Sequence, residues 1–234
     1  MKIYAISDLH FAGGTNNKSM DIFGPKWFNH ITVIQENWKA VVTEEDYVLI
    51  PGDISWAMRL SEAEEDLDCI EDLPGKKICI RGNHDYWWDR PGKLNDKYKR
   101  IYFLQNTAYN IGDISICGTR GWISPNEEKW TLEDERLYQR ELQRLKLSME
   151  AAKGAKEIWV MLHYPPTYHK ELVSPLIALL KEYPVTKVIY GHLHDEGSWE
   201  CALKGEFEKI SYILVSADYI DFKPIEIAKI ELEN

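Results

Sequence analysis

Five apolar, β-rich runs in this chain each stop at residues able to bind metal, and that repetition limits the fold more than any other feature. Ile78-Cys79-Ile80 turns at Gly82 into Asn83, His84 and Asp85. Ile3 to Ile6 runs into Ser7, Asp8, Leu9 and His10, and Tyr47 to Ile50 runs through Pro51-Gly52 into Asp53. Ile158 to Leu162 ends at His163, and Val188-Ile189-Tyr190 ends at Gly191, His192, Leu193 and His194. Strands that end in polar clusters are expected where a sheet presents a site at its carboxyl edge. The chain therefore reads as a scaffold for one site.

The segments between these runs predict the rest of the architecture. Trp27, Ile31, Ile34, Trp38 and Val41 recur at spacings of four and three, which is one face of an amphipathic helix. Ser61 to Glu64 has the form of a capping box, opening a helix with Leu67 and Ile70 inward, and Pro74-Gly75 ends it. Asp89 to Tyr98 is a further short helix. The β-α-β-α-β order implies a parallel sheet with right-handed crossovers. Short strands follow at 101–104, 108–111 and 114–117, with Gly112-Asp113 as a hairpin turn. Thr131 to Asp134 resembles a second capping box, and Tyr138, Leu142, Leu145, Met149 and Ala152 keep helical spacing as far as Gly154. Ser174-Pro175 is a strong helix start. From Trp199 onward the pattern predicts strands alone, at about 199–203, 207–215 and 225–232. Without a linker, a low-complexity segment or a fixed-period repeat, one domain over residues 1–234 is the economical reading.

Composition narrows the function classes. A formal net charge of −10 argues against a protein that coats nucleic acid or anionic membrane, since those carry a basic footprint. A phosphate substrate is compatible with it, because bound cations would supply local positive charge. No apolar run approaches a membrane span and the N-terminus shows no leader, so no membrane association and a cytoplasmic location are expected. The four cysteines, Cys69, Cys79, Cys117 and Cys201, are widely spaced and predict buried free thiols.

The strand-end set of Asp8, His10, Asp53, Asn83, His84, His163, His192 and His194 mixes carboxylate, imidazole and amide without thiolate. Such donors suit Mn, Fe, Zn or Mg-type ions rather than a structural zinc cage. The ordered blocks Asp-x-His, Gly-Asp, Gly-Asn-His-Asp, His and Gly-His-x-His resemble the calcineurin-like metallophosphoesterase superfamily from Met1 to about Asp218. The resemblance implies an α/β fold, a four-layer α/β/β/α sandwich of two mixed β-sheets flanked by helices. It implies two divalent metal ions (Mn, Fe or Zn), the first held by Asp8, His10 and His194, the second by Asn83, His163 and His192, with Asp53 bridging. It further implies hydrolysis of a phosphodiester or phosphomonoester by a metal-bound hydroxide, with His84 assisting the leaving group and Asp85 orienting the site. Asn83 and His84 would also meet the substrate, a small phosphate ester. Gly52-Asp53 continues as Ile54-Ser55-Trp56-Ala57 rather than the Asp-Arg-Gly turn of protein phosphatases, and with the Gly-His-Leu-His block this favours the phosphodiesterase branch.

Three features carry competing readings. Arg120, glycine-flanked after a strand, grips phosphate bidentately or is a turn arginine. Trp56, Trp87 and Trp88 wall a cleft and stack on a flat group, or pack beneath the loops. The alternative for the whole chain is a non-catalytic metal-binding or protein-interaction scaffold on the same fold. A scaffold released from catalysis would be expected to lose ligands, and here the set is complete.

Overall fold

A computed structural model describes residues 1–13, 20–125, 130–167 and 174–230. The first half of the chain forms β1 (Lys2–Ala5), α1 (His30–Val41), β2 (Tyr47–Ile50), α2 (Leu60–Asp72), β3 (Lys76–Cys79), α3 (Pro91–Lys97) and β4 (Ile101–Phe103). The second half forms β5 (Tyr109–Ile111), β6 (Ile114–Thr119), α4 (Leu132–Ala151), β7 (Glu157–Leu162), α5 (Pro175–Leu180), β8 (Val185–Tyr190), α6 (Glu196–Cys201), β9 (Gly205–Phe207), β10 (Ile210–Leu214) and β11 (Ile225–Lys229). One sheet has the order β11-β1-β2-β3-β4 and the other β5-β6-β7-β8-β10-β9. In each, the central strands run parallel and antiparallel strands close the edges: β11 on β1, β5 on β6 and β9 on β10.

The period-two alternation of the strands sorts their side chains into three apolar layers. Ile3, Ala5, Leu49 and Ile78 meet Ile116, Trp159, Met161 and Ile189 between the sheets. The opposite faces of the same strands, Tyr4, Val48 and Ile50, pack beneath Ile34, Trp38, Leu67, Ile70 and Leu94 from the helices. On the far side Cys117, Val160, Leu162, Val188 and Tyr190 pack beneath Leu145, Met149, Ile177 and Leu180. The result is the expected α/β/β/α sandwich. No helix among the described residues is long and apolar enough to cross a membrane.

Most predicted elements are present, with four local corrections. Residues 199–203 are not a strand, because Glu196–Cys201 is a helical turn that Asp195 caps by accepting from the Ser198 amide. The expected strand 207–215 is split by Glu208 and Lys209, both at positive φ, into the hairpin β9–β10. The last strand ends at Lys229, and residues 231–232 of the expected range lie outside the described residues. Helix α2 begins at Leu60 rather than after Ser61. Glu62 supplies the cap, its carboxylate accepting from the Met58 and Arg59 amides at 3.0 and 3.2 Å. Thr131 does cap α4 as predicted, with Asp134 as its reciprocal partner. Two thiols, Cys79 and Cys117, are buried, whereas Cys69 and Cys201 are half-buried.

Lys77 is the least expected member of the sandwich, 1% exposed within β3. Its ammonium donates to the carbonyls of Glu71 and Leu73 at the carboxyl end of α2, where the helix leaves acceptors unpaired. Burial, with repulsion from Arg100, lowers its pKa to about 8, against 10.5 in the unfolded chain. Between those two values the unfolded chain holds a proton that the folded chain has released, so this group makes stability rise with pH. The unfolding free energy of the wild type minus that of Lys77→Met is therefore expected to rise by roughly 2–3 kcal/mol across that window. Urea denaturation of both proteins at stepped pH measures it, and a pH-independent difference would mean that the ammonium is not desolvated.

Candidate metal centre

The carboxyl ends of the parallel strands bring their polar residues to one edge of the sandwich, and the backbone there is strained. Asp8, His10, Asp53 and His192 all have positive φ, at 59°, 47°, 53° and 75°. Non-glycine residues reach this region at a cost of order 1–3 kcal/mol each, and such outliers gather at functional sites. Glycine supplies the close approaches. A Cβ on Gly82 would lie 2.1 Å from Asp53 Oδ1, and one on Gly191 would lie 2.3 Å from Asp8 Oδ2.

Two groups of ligand atoms converge within 4.8 Å: Asp8, His10 and His194 in one, and Asp8, Asp53 and His163 in the other. Asp53 Oδ2 lies 3.4 Å from His163 Nε2 of its own group and 3.8 Å from His10 Nε2 of the other. Beside them Asn83 Oδ1 is 2.5 Å from His163 Nε2 and 3.0 Å from His192 Nδ1, and those two nitrogens are 3.2 Å apart. His163 donates through Nδ1 to the Pro51 carbonyl at 3.0 Å, so its Nε2 carries a lone pair. That lone pair faces the amide oxygen of Asn83, which can also only accept, and a cation satisfies the pair where a hydrogen bond does not. Asp8 Oδ1 and His10 Nδ1 are likewise buried without a hydrogen-bond partner. These donors fit divalent ions of the Mn, Fe or Zn type.

The charge states of three of the histidines agree with that fit. Burial holds His163 down to about 4 and His192 to about 3, and lowers His10 well below its ordinary value, so all three are neutral donors at pH 7. Burial and the neighbouring Asp85 and Asp8 raise Asp53 well above the usual carboxylate range. Asp8 is lowered despite its burial, because His194, His163 and His10 surround it. For His194 burial works downward, but Asp8 and Asp218 prevail and raise it to about 10. Its Nδ1 is 3.0 Å from Asp218 Oδ1 and its Nε2 is 3.5 Å from Asp8 Oδ1.

Asp85 does not face the cluster; it organises the loops that do. Its two oxygens accept from the amides of Asp53, Ile54, Ser55 and Gly82 and from the Trp87 indole, at 2.7–3.2 Å. The His84 amide in turn donates to Asp53 Oδ1 at 2.8 Å. The His84 ring lines the recess in front of the cluster, with its centroid 4.2 Å from that of Trp56.

Of the three tryptophans considered for a cleft wall, Trp56 takes that position. It stacks on His10 at 4.8 Å and lines a recess of about 640 Å³ with Met20, Phe23, Trp27 and the site histidines. Trp87 and Trp88 are buried and pack on Phe103. A second recess of about 710 Å³ shares His192 and is lined by Ile123, Tyr164, Pro165 and Leu193. Arg120 does not join the ligand cluster. Its guanidinium lies over Trp122 at 4.5 Å and points toward Glu141, while its carbonyl accepts from the amides of His163 and Tyr164.

Two residues at the site were not anticipated. Asp218 orients His194, as carboxylates behind metal-ligating histidines do. It follows the run of β10, so the strand-end pattern extended one strand further would have found it. His30, buried in the first turn of α1, places its Nε2 3.1 Å from the His10 carbonyl, and the helical spacing gave no hint of that.

A proton on His194 and a cation in the cluster compete for the same carboxylates. Binding of Mn²⁺ is therefore expected to release at least one proton, from His194 and in part from Asp53, so that its apparent affinity rises at least roughly tenfold per pH unit between pH 6 and 8. Titration of chelator-treated protein in a weakly buffered dye solution reads both quantities, and an affinity flat across that range would remove His194 from the ligand set.

Crystal structures of other proteins share the fold. A protein of unknown function from Aquifex aeolicus superposes with a TM-score of 0.54 at 20% identity, covering 96% of this chain and 95% of that one. A phosphopantetheinyl hydrolase from Mycobacterium tuberculosis does so with a TM-score of 0.57 at 14% identity, covering 97% and 95%. An uncharacterized protein of Methanocaldococcus jannaschii is 30% identical over 106 residues, which make up 44% of this chain and 53% of that protein, so the match spans about half of the relative's length. The family model for calcineurin-like phosphoesterases matches residues 1–196, from the first strand-end aspartate through the last histidine pair. With the sandwich in place and the matched blocks converging on one edge of it, the chain belongs to the calcineurin-like phosphoesterase family.

Proposed function

We propose that this metal-dependent phosphoesterase cleaves a small phosphodiester at a two-metal site. The observation that carries the diester reading is the pair of recesses meeting at His192, one walled by Met20, Phe23, Trp27 and Trp56, the other by Ile123, Tyr164, Pro165 and Leu193. A phosphodiester has two organic arms to seat, a monoester one. Aromatic and aliphatic walls suit arms with flat or apolar surface.

Asp8, His10 and His194 would hold one divalent ion and Asn83, His163 and His192 the other, with Asp53 between them; Mn, Fe and Zn all fit the donors. Ions bound there supply positive charge to the phosphoryl oxygens and acidify water near neutral pH. Asp85 keeps Asp53 in place through the amides it accepts, and its role is positioning. The oxygen of water bonds to phosphorus and sheds a proton to solvent as the bond to the leaving oxygen breaks. A ring nitrogen of His84 delivers a proton to that departing oxygen, and the ring is reprotonated from solvent. Trp56, packed against both His84 and His10, keeps bulk water from that side of the imidazole. Free cysteines accord with a cytoplasmic location, and the acidic balance of the chain accords with action on a small molecule rather than nucleic acid.

The test is hydrolysis of matched diester and monoester series with Mn²⁺ restored after chelation, with a phosphopantetheinyl ester included because one fold relative is named for that group. The diesters are expected to be cleaved faster. His84→Ala should lower kcat by about 10²–10⁴ for alkyl leaving groups, and by much less for nitrophenolate, which leaves without a proton. An equal loss on both leaving groups would sink the proton-donor role, and monoester-only cleavage would sink the diester reading. Metal uptake with neither ester cleaved would favour the scaffold.

A further inference from the structure

A third recess faces the same edge of the sandwich but contains no candidate metal ligand. It lies between the ends of β3 and β6 and helix α4, has a volume of about 530 Å³ with its mouth included, and is lined by Arg81, Arg120, Arg140 and Arg144. The acid facing them from its lining is Glu141, 2% exposed. One Glu141 oxygen takes Arg144 at 2.9 Å, Arg140 at 3.1 Å and Arg120 at 3.8 Å, and the other accepts from the Thr119 hydroxyl at 2.6 Å. Arg81 donates through Nε to the Asp85 carbonyl. Arg120 Nε is buried and has no hydrogen-bond partner.

Four guanidiniums against one carboxylate leave this recess strongly positive in a chain of net charge −10. If the arginines served only to hold α4 on β6, a single ion pair with Glu141 would suffice, and the remaining like charges would oppose one another. Guanidiniums in a fixed cluster match the oxygens of phosphate bidentately, and a concave, partly buried wall focuses their field. The placement relative to the metal centre is fixed by the backbone. Arg81 is two residues before Asn83, and the Arg120 carbonyl accepts from the amides of His163 and Tyr164.

We infer that this arginine recess is an oxyanion subsite for a phosphate group, separate from the phosphorus under attack. That group is either a second phosphate on the substrate or free phosphate acting on the enzyme. Its assignment to the substrate rests on the phosphoesterase reading; the binding itself does not.

Calorimetric titration of the Mn²⁺-loaded full chain with inorganic phosphate tests it. Two classes of site are expected, one at the metals and one at the recess. Arg144→Gln should weaken the second class at least tenfold while leaving the first, and added NaCl should weaken it as well, since the recess is open to solvent. Glu141→Gln removes the competing carboxylate and should tighten the same class, a gain that a purely structural network would not give. Melting curves report whether each variant is folded. A single class of site in the wild type, or a wild-type isotherm for folded Arg144→Gln, would overturn the subsite; an adventitious metal-bound phosphate gives that first result. Failure of the hydrolytic reading looks different, because the recess class would persist without turnover. A lower KM for a diester carrying an extra terminal phosphate, erased by Arg144→Gln, assigns the group to the substrate, and inhibition by phosphate without a KM difference assigns it to free phosphate.

Discussion

The carboxylate of Asp85 is the interaction on which the rest of this site depends. It is fully buried, and burial raises its pKa, yet five N–H donors converge on its two oxygens and offset that cost. Four of those donors are backbone amides from the loops that leave β2 and β3. Tying them to one group fixes where Asp53 stands relative to Asn83 and His84. Without that tie, two short loops with a left-handed residue and two glycines would have little reason to hold a single shape. The same carboxylate adds negative charge behind Asp53 and, after burial, is one reason why the Asp53 carboxyl is raised above the usual range.

Strain and close approach are the cost of gathering so many ligand-type side chains at one edge. Asp8, His10, Asp53 and His192 adopt a backbone conformation that L-residues avoid, and Gly82 and Gly191 omit the Cβ atoms that would collide with the two aspartates. The cores above and below the sheets absorb that strain. Fully buried Trp38, Trp159 and Tyr190 anchor three apolar layers that leave the strand ends little freedom to relax.

The strand ends were legible because a single physical rule, apolar run then polar ligand, repeats at each of them. That rule singles out Asp8, His10, Asp53, Asn83, His84, His163, His192 and His194 as candidates, and the fold brings all of them to one edge. Features set by contacts between distant segments were not legible. Asp218 meets His194 across 24 residues, and His30 meets the His10 carbonyl across 20. The arginine recess exists because Arg140 and Arg144, one turn apart on α4, face Arg81 and Arg120 from other elements. Short elements were misread where local chemistry overrode periodicity: a single aspartate cap turned 196–201 into a helix, and two residues at positive φ folded 207–215 into a hairpin. Trp87 and Trp88 were ambiguous because a tryptophan near a site looks the same in sequence whether it faces a ligand or Phe103.

The candidate ligands are divided between the two sheets. Asp8, His10, Asp53 and Asn83 follow strands of the first, and His163, His192 and His194 follow strands of the second. An ion held among them is a clasp across the seam of the sandwich, and pulling the sheets apart would mean losing it. Cohesion of the two halves then becomes a function of metal supply: at a free ion concentration of a hundred times Kd the clasp is worth about 2.7 kcal/mol per site. A cell short of the right ion would hold a looser protein, more open to proteolysis, as well as a less active one.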